Sequence, residues 1–185
     1  MDEKDDPRTD LQLTAAINAG DWTAFDILYH RYRDWAFRLA WRFCGDQNDA
    51  ADAVQEVFVY LAKKFPGLEL RANLTTLLYP AVKHTALAIR RKRRRTASLP
   101  EEFDPPAAPQ CAPPESTRAQ LAQVLANLTE PHREVLLMRF VDDMSLEEIA
   151  AALSIPTGTV KSRLHHAIKD LRDDPHLRRC FADEI

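Results

Sequence analysis

Residues 144–166 read MSLEEIAAALSIPTGTVKSRLHH, and the pattern stops once, at Ser154-Ile155-Pro156. Ser145 with Glu148 three residues later has the form of a capping box at a helix start. Leu146, Ile149, Ala150 and Leu153 then recur at helical spacing, so one face is apolar. The small residues Ala150, Ala151 and Ala152 let another helix approach closely. Pro156 cannot continue a helix but fits the first turn of the next. That second helix has Val160, Leu164, Ala167, Ile168 and Leu171 inward. Thr157, Thr159, Lys161, Ser162, Arg163, His165 and His166 face outward. Two short helices meeting at a proline turn form a helix-turn-helix pattern, whose second helix enters the DNA major groove. Lys161 and Arg163 suit phosphates or guanine edges, while Thr159 and Ser162 supply short donors and acceptors. The plainer alternative is a helical hairpin with a wet, charged face.

The rest of the chain is helical in the same manner. Four glycines in 185 residues, with abundant Ala, Leu, Arg and Glu, favour helix, and no alternating strand pattern stands out. Asp21 can cap a long helix with Phe25, Leu28, Tyr29, Tyr32, Ala36, Leu39 and Phe43 on one face, ended by Gly45. Asn48 or Asp49 can start a third, with Ala53, Val54, Val57, Phe58 and Leu61 inward. Pro66-Gly67 breaks the chain. Asn73 can cap a fourth helix through Leu74, Leu78 and Val82, in which Pro80 removes one backbone hydrogen bond and should produce a kink. Residues 96–116 form a flexible, Pro-rich acidic linker. The expected architecture is all-α, with two small helical domains at 10–95 and 117–180.

Net charge is −3, but the charge is segregated: the start (MDEKDDPRTD) is acidic and residues 90–95 read RRKRRR. Six consecutive cations repel one another along a helix, which suggests a polyanionic partner; a solvated helix end is the alternative. Asp49, Asp52, Gln55 and Glu56 lie beside the apolar stripe of the third helix. Cys44, Cys111 and Cys180 are isolated, and neighbouring His165 and His166 point apart, so neither a disulfide framework nor a metal site is expected. There is no Gly-rich phosphate loop, HExxH string or nucleophile elbow, so no catalytic residue and no cofactor are expected, and an enzyme is not. The charged start and the lack of an apolar run of ~18 residues predict a cytoplasmic protein without membrane insertion.

Three strings carry a family resemblance. NDAADAVQEVFVYLAKKF (48–65) resembles region 2.2 of the sigma-70 family, and AGDWTAFDILYHRY (19–32) looks like the start of region 2 in its extracytoplasmic-function (ECF) group. LTEPHREVLLMRFVDDMSLEEIAAALSIPTGTVKSRLHHAIKDLR (128–172) resembles sigma region 4. The resemblance implies an initiation factor that binds the β′ and β subunits of bacterial core RNA polymerase and promoter DNA, commonly under an anti-sigma factor. It places Asp49, Asp52, Gln55 and Glu56 against polymerase, with Phe58 packed inside. It places the loop at 65–73 and the following helix on the −10 element, with Lys83, His84, Arg90, Arg91 and Arg93 as contacts. Region 4 would read the −35 element through Thr159, Lys161, Ser162, Arg163, His165 and His166. The chain departs from the family's usual tryptophan, asparagine and aspartate at Leu77, His84 and Leu87. Two other readings stay open: a sigma-like decoy that binds an anti-sigma factor without initiating, and a simple operator-binding regulator.

Overall fold

The computed structural model describes residues 6–70, 72–97 and 122–174, and among these the chain is helical with no strand. The helices are α1 (Asp10–Asn18), α2 (Thr23–Cys44), α3 (Gln47–Ala62), α4 (Thr75–Ala97), α5 (helical residues 122–127), α6 (Glu130–Phe140), α7 (Leu146–Leu153) and α8 (Thr157–Asp173). The chain divides into two units, Met1–Pro106 and Ala107–Ile185. The division falls inside the expected linker at 96–116, most of which lies outside the described residues, as do Cys111 and Cys180.

In the first unit α2 packs on α1, α3 and α4, and α3 packs on α4. The apolar stripes meet: Leu28, Leu39, Val57, Leu61, Leu78 and Val82 are almost wholly buried. Phe25, Tyr29, Phe58 and Phe65 stack edge-to-face between α2 and the end of α3, and such pairs add about 0.5–1.5 kcal/mol each beyond area burial. Gly45 ends α2 in the left-handed conformation, φ 75°, where a glycine carries no Cβ penalty. The cap of α2 differs from expectation: Trp22 holds the N-cap position without a side-chain capping bond, and Asp21, one residue earlier, accepts from the Thr23 N–H on its Oδ1 at 3.1 Å. The cap of α3 differs too. It is Asp46, two residues before the expected Asn48, whose Oδ1 accepts from the N–H groups of Asn48 at 2.9 Å and Asp49 at 3.0 Å. An extended backbone at Asp46 aims its carboxylate at the first turn, whereas Asn48 and Asp49 are already helical. α4 runs unbroken through Pro80, whose ring is exposed.

The Asp46 cap predicts a pH dependence. The Asp49 N–H, then the Asn48 N–H and the Arg93 guanidinium, hold its carboxyl below the ordinary value against partial desolvation. A carboxyl depressed on folding stabilises fully above its unfolded pKa, about 3.9, and loses that contribution as pH falls through its lower folded value. The urea midpoint of wild type should exceed that of Asp46→Asn at neutral pH, and the gap should close below about pH 3.9. A gap independent of pH would show that the charge contributes nothing.

In the second unit α6 and α7 pack on α8. Val135, Met138, Met144, Ile149, Val160 and Ala167 form its interior, each almost fully buried. The capping box of α7 is present in both directions: Glu148 N–H to Ser145 Oγ at 3.1 Å and Ser145 N–H to Glu148 Oε2 at 2.8 Å. Ser154 closes α7 at φ 54°, and the Ile155 N–H reaches back to Ala150 O at 3.0 Å. Left-handed backbone costs a non-glycine residue about 1–2 kcal/mol. Packing of Ile149 and Val160 on either side holds the turn against that cost. Pro156 stands at the N-cap of α8, immediately before its first turn. Thr129 precedes α6 as expected, but its side chain makes no capping bond.

Candidate functional site

The turn at Ser154 leaves α8 with a sharply divided surface. Val160 and Ala167 are buried and Leu164, Ile168 and Leu171 half-buried, all as read from the spacing. Lys161, Ser162, His165 and His166 are exposed, and Thr159 and Arg163 partly so. All six expected −35 residues therefore lie along one solvent-facing side, within three turns of the helix start. Two of them are not independent. The His166 ring stacks on His132 of α6, with centroids 5.8 Å apart and planes at 14°, and His165 meets His166 edge-on at 5.7 Å. His132 Nδ1 lies 3.5 Å from Asp170 Oδ2. Arg139 supports the motif from below, donating to Met144 O at 3.0 Å across the turn that leads into α7.

The acidic side of α3 is equally ordered. Asp52, Gln55 and Glu56 are exposed, and exposed Val59 continues their line one turn on. Beside them runs an open groove of about 490 Å³ between α2 and α3, floored by Phe25, Tyr29, Phe37 and Phe58 and edged by Gln55 and Arg33. Phe58 is buried, as expected. Asp49 separates from the set. Its Oδ2 takes a hydrogen bond from Arg93 Nη1 at 2.9 Å, and the same nitrogen lies 3.1 Å from Asp46 Oδ2. The Asp49 carboxylate, foremost, raises the pKa of the Arg93 guanidinium further above its already high value.

The basic stretch of α4 is thus divided between inside and outside. Arg90 donates to Phe43 O at 3.3 Å, satisfying a carbonyl at the end of α2. Lys83 Nζ sits 5.7 Å from the Phe43 ring centroid. His84 and Arg91 are exposed on the outer side.

Three further polar contacts were not apparent from sequence. Asp10 is 7% exposed and joins three elements: it accepts from Arg31 Nη1 at 2.9 Å, from the Tyr32 hydroxyl, and from the Leu74 N–H at 3.0 Å. Asn18 binds the loop after α3 through Gly67 and Leu68. Arg133 closes the end of α5 by donating to Leu128 O at 2.8 Å. Each links residues with no common periodicity. Burial gives Cys44 an inert character, pushing its thiol pKa up while its Sγ–H bonds Ala40 O at 3.0 Å. Among the described residues no cluster of His, Cys, Asp and Glu fits a metal ion.

Two family models match these units: sigma-70 region 2 over residues 28–96 and sigma-70 region 4 over residues 124–173. The RNA polymerase sigma-H factor of Pseudomonas aeruginosa is 30% identical over 172 residues, covering 85% of this chain and 89% of the relative. The chain belongs to the ECF group of the sigma-70 family. The ECF sigma factor SigE of Mycolicibacterium smegmatis is 28% identical over 185 residues, spanning 94% of this chain and 70% of that one. The same fold occurs in the sigma factor RpoE of Bartonella quintana, solved with the anti-sigma factor NepR: TM-score 0.61, 21% identity, 80% of this chain and 94% of that one. For this sigma factor, the region 2 match holds the acidic α3 side and the basic α4, and the region 4 match holds the helix-turn-helix. The match to region 2 begins inside α2, so α1 lies outside it.

Proposed function

We propose that this sigma factor divides promoter recognition between its two units, 10–95 and 117–180, and docks on polymerase through α3. The observation that carries the division is the pairing of an exposed acidic line beside an apolar groove on α3 with an exposed polar face on α8. Asp52, Gln55 and Glu56 supply charge complementarity to a basic segment of the β′ subunit, and the groove offers apolar area beside it. Asp49 contributes through Arg93, whose guanidinium it anchors. On the −10 side His84 and Arg91 reach the strand directly. Lys83, Arg90 and Arg93 shape the local field from positions already tied to α2 and α3. In the second unit Lys161, Ser162 and His165 read bases of the −35 element, with Thr159 and Arg163 nearer phosphate. His166 takes part from its stack on His132. The protein acts in the cytoplasm, where its polymerase is, and among the described residues no helix is long and apolar enough to cross a membrane. An anti-sigma factor holds it inactive by covering the α3 groove; the similarly folded RpoE of Bartonella quintana was solved in complex with such a factor.

Run-off transcription with bacterial core polymerase on a pool of genomic fragments tests this reading. New discrete start sites are expected only when the protein is present. Core binding without any transcript would favour the decoy, and no core binding would leave an operator-binding regulator. Lys161→Ala should cost about 1–3 kcal/mol on a −35 duplex and relax discrimination at one base position. Equal weakening on all sequences, measured by competition with single-base variants, would make Lys161 a phosphate contact instead.

A further inference from the structure

α1 grips the segment that joins α3 to α4 at both ends. At its C-terminal end, Asn18 Oδ1 accepts from the Gly67 N–H at 2.7 Å and its Nδ2 donates to Leu68 O at 2.9 Å. At its N-terminal end, Asp10 accepts from the Leu74 N–H at 3.0 Å, one residue before α4. α1 is itself seated by Leu13 and Ile17, both fully or almost fully buried, and started by the Thr9–Gln12 capping box. The Asn18 side chain is matched to its task. One amide answers both a backbone donor and a backbone acceptor of adjoining residues, which an Ala or Asp cannot do. Gly67 has φ 117°, a conformation that the loop holds without strain only because the residue is glycine.

We propose that α1 is a positioning brace for the −10 loop, with Asn18 the positioning residue that presets the loop for single-stranded DNA. The proposal rests on the reading above that this loop and α4 take the −10 strand. A loop ordered before it binds does not lose its conformational freedom on binding, so affinity rises without a new contact to DNA. Asn18 is exposed, so its removal leaves the core intact.

The test uses full-length protein bound to core polymerase and a non-template-strand oligonucleotide covering the −10 element of a promoter mapped by run-off transcription. Asn18→Ala should weaken oligonucleotide binding about tenfold, the weight of one to two neutral hydrogen bonds. Core affinity and −35 duplex affinity should stay at wild-type values, which general disorder of the unit would not allow. Asn18→Asp keeps the acceptor for Gly67 but not the donor for Leu68 and should fall between. Wild-type oligonucleotide affinity in Asn18→Ala overturns the brace alone. So does a loss matched by an equal loss of core affinity, which would mean general disorder of the unit. If wild-type holoenzyme fails to bind the strand at all, the −10 reading falls and the brace with it.

Discussion

Asp10→Ala should destabilise the first unit by about 3 kcal/mol, the low end for removing one partner of a buried ion pair. The carboxylate is almost fully buried, while Arg31 keeps some contact with water. Without it the Arg31 guanidinium, the Tyr32 hydroxyl and the Leu74 N–H all lose an acceptor at once. A carboxylate that joins α1, α2 and the start of α4 cannot be replaced by solvent without opening the space between them. For a unit of about 100 residues the loss corresponds to a midpoint lower by roughly 15 °C. Trp22, Trp35 and Trp41 are the three tryptophans of the chain and all lie in or beside α2, so their fluorescence reports this unit alone. Asp10→Asn, which keeps an acceptor oxygen, should lose less. A midpoint within 3 °C of wild type in Asp10→Ala would show that the hub is decorative.

The double reversal Asp52→Arg with Glu56→Arg should lower affinity for core polymerase at least about 100-fold, since like-charge contact at an interface costs several kcal/mol. Both side chains are exposed and neither has a partner whose loss would disturb the α3 packing, so the fold and its melting midpoint should be unchanged. Binding of the −35 duplex belongs to the other unit and should persist. Competition against wild type for a limiting amount of core gives the number directly. Undiminished competition would move the docking surface away from α3 and leave the apolar groove unexplained.

Which features were legible follows from how far apart their causes lie in the chain. The helix-turn-helix was plain because every signal is local. The Ser145–Glu148 box, the small alanines and the Pro156 break act within a turn or two, and the structure holds them together as spaced. The long helices were legible because Leu28, Leu39, Val57 and Leu61 repeat on one face. Caps slipped where two good capping residues compete within three positions: Asp46 wins over Asn48 because its backbone alone is extended. Asp10 was read as part of an acidic start. Its partners Arg31 and Leu74 stand 21 and 64 residues away, and nothing in the first ten residues marks one aspartate as buried. Asn18 fails for the same reason, with partners about fifty residues off. The stack of His132 on His166 needs the angle between α6 and α8, which spacing alone does not specify.

The Arg93 bridge changes what the arginine run is worth thermodynamically. On single-stranded DNA each neutralised phosphate adds about 0.7 to the slope of log affinity against log salt, because a condensed counterion is released. Arg90 and Arg93 already have a carbonyl and two carboxylates of their own protein as company. The carbonyl leaves the Arg90 charge whole, whereas the two carboxylates neutralise Arg93, so on DNA a run of six cations would displace counterions as a run of five at most. RRKRRR is louder on paper than on a binding isotherm: part of its charge is spent on holding three helix ends in register, and that part adds nothing to the salt slope of DNA binding.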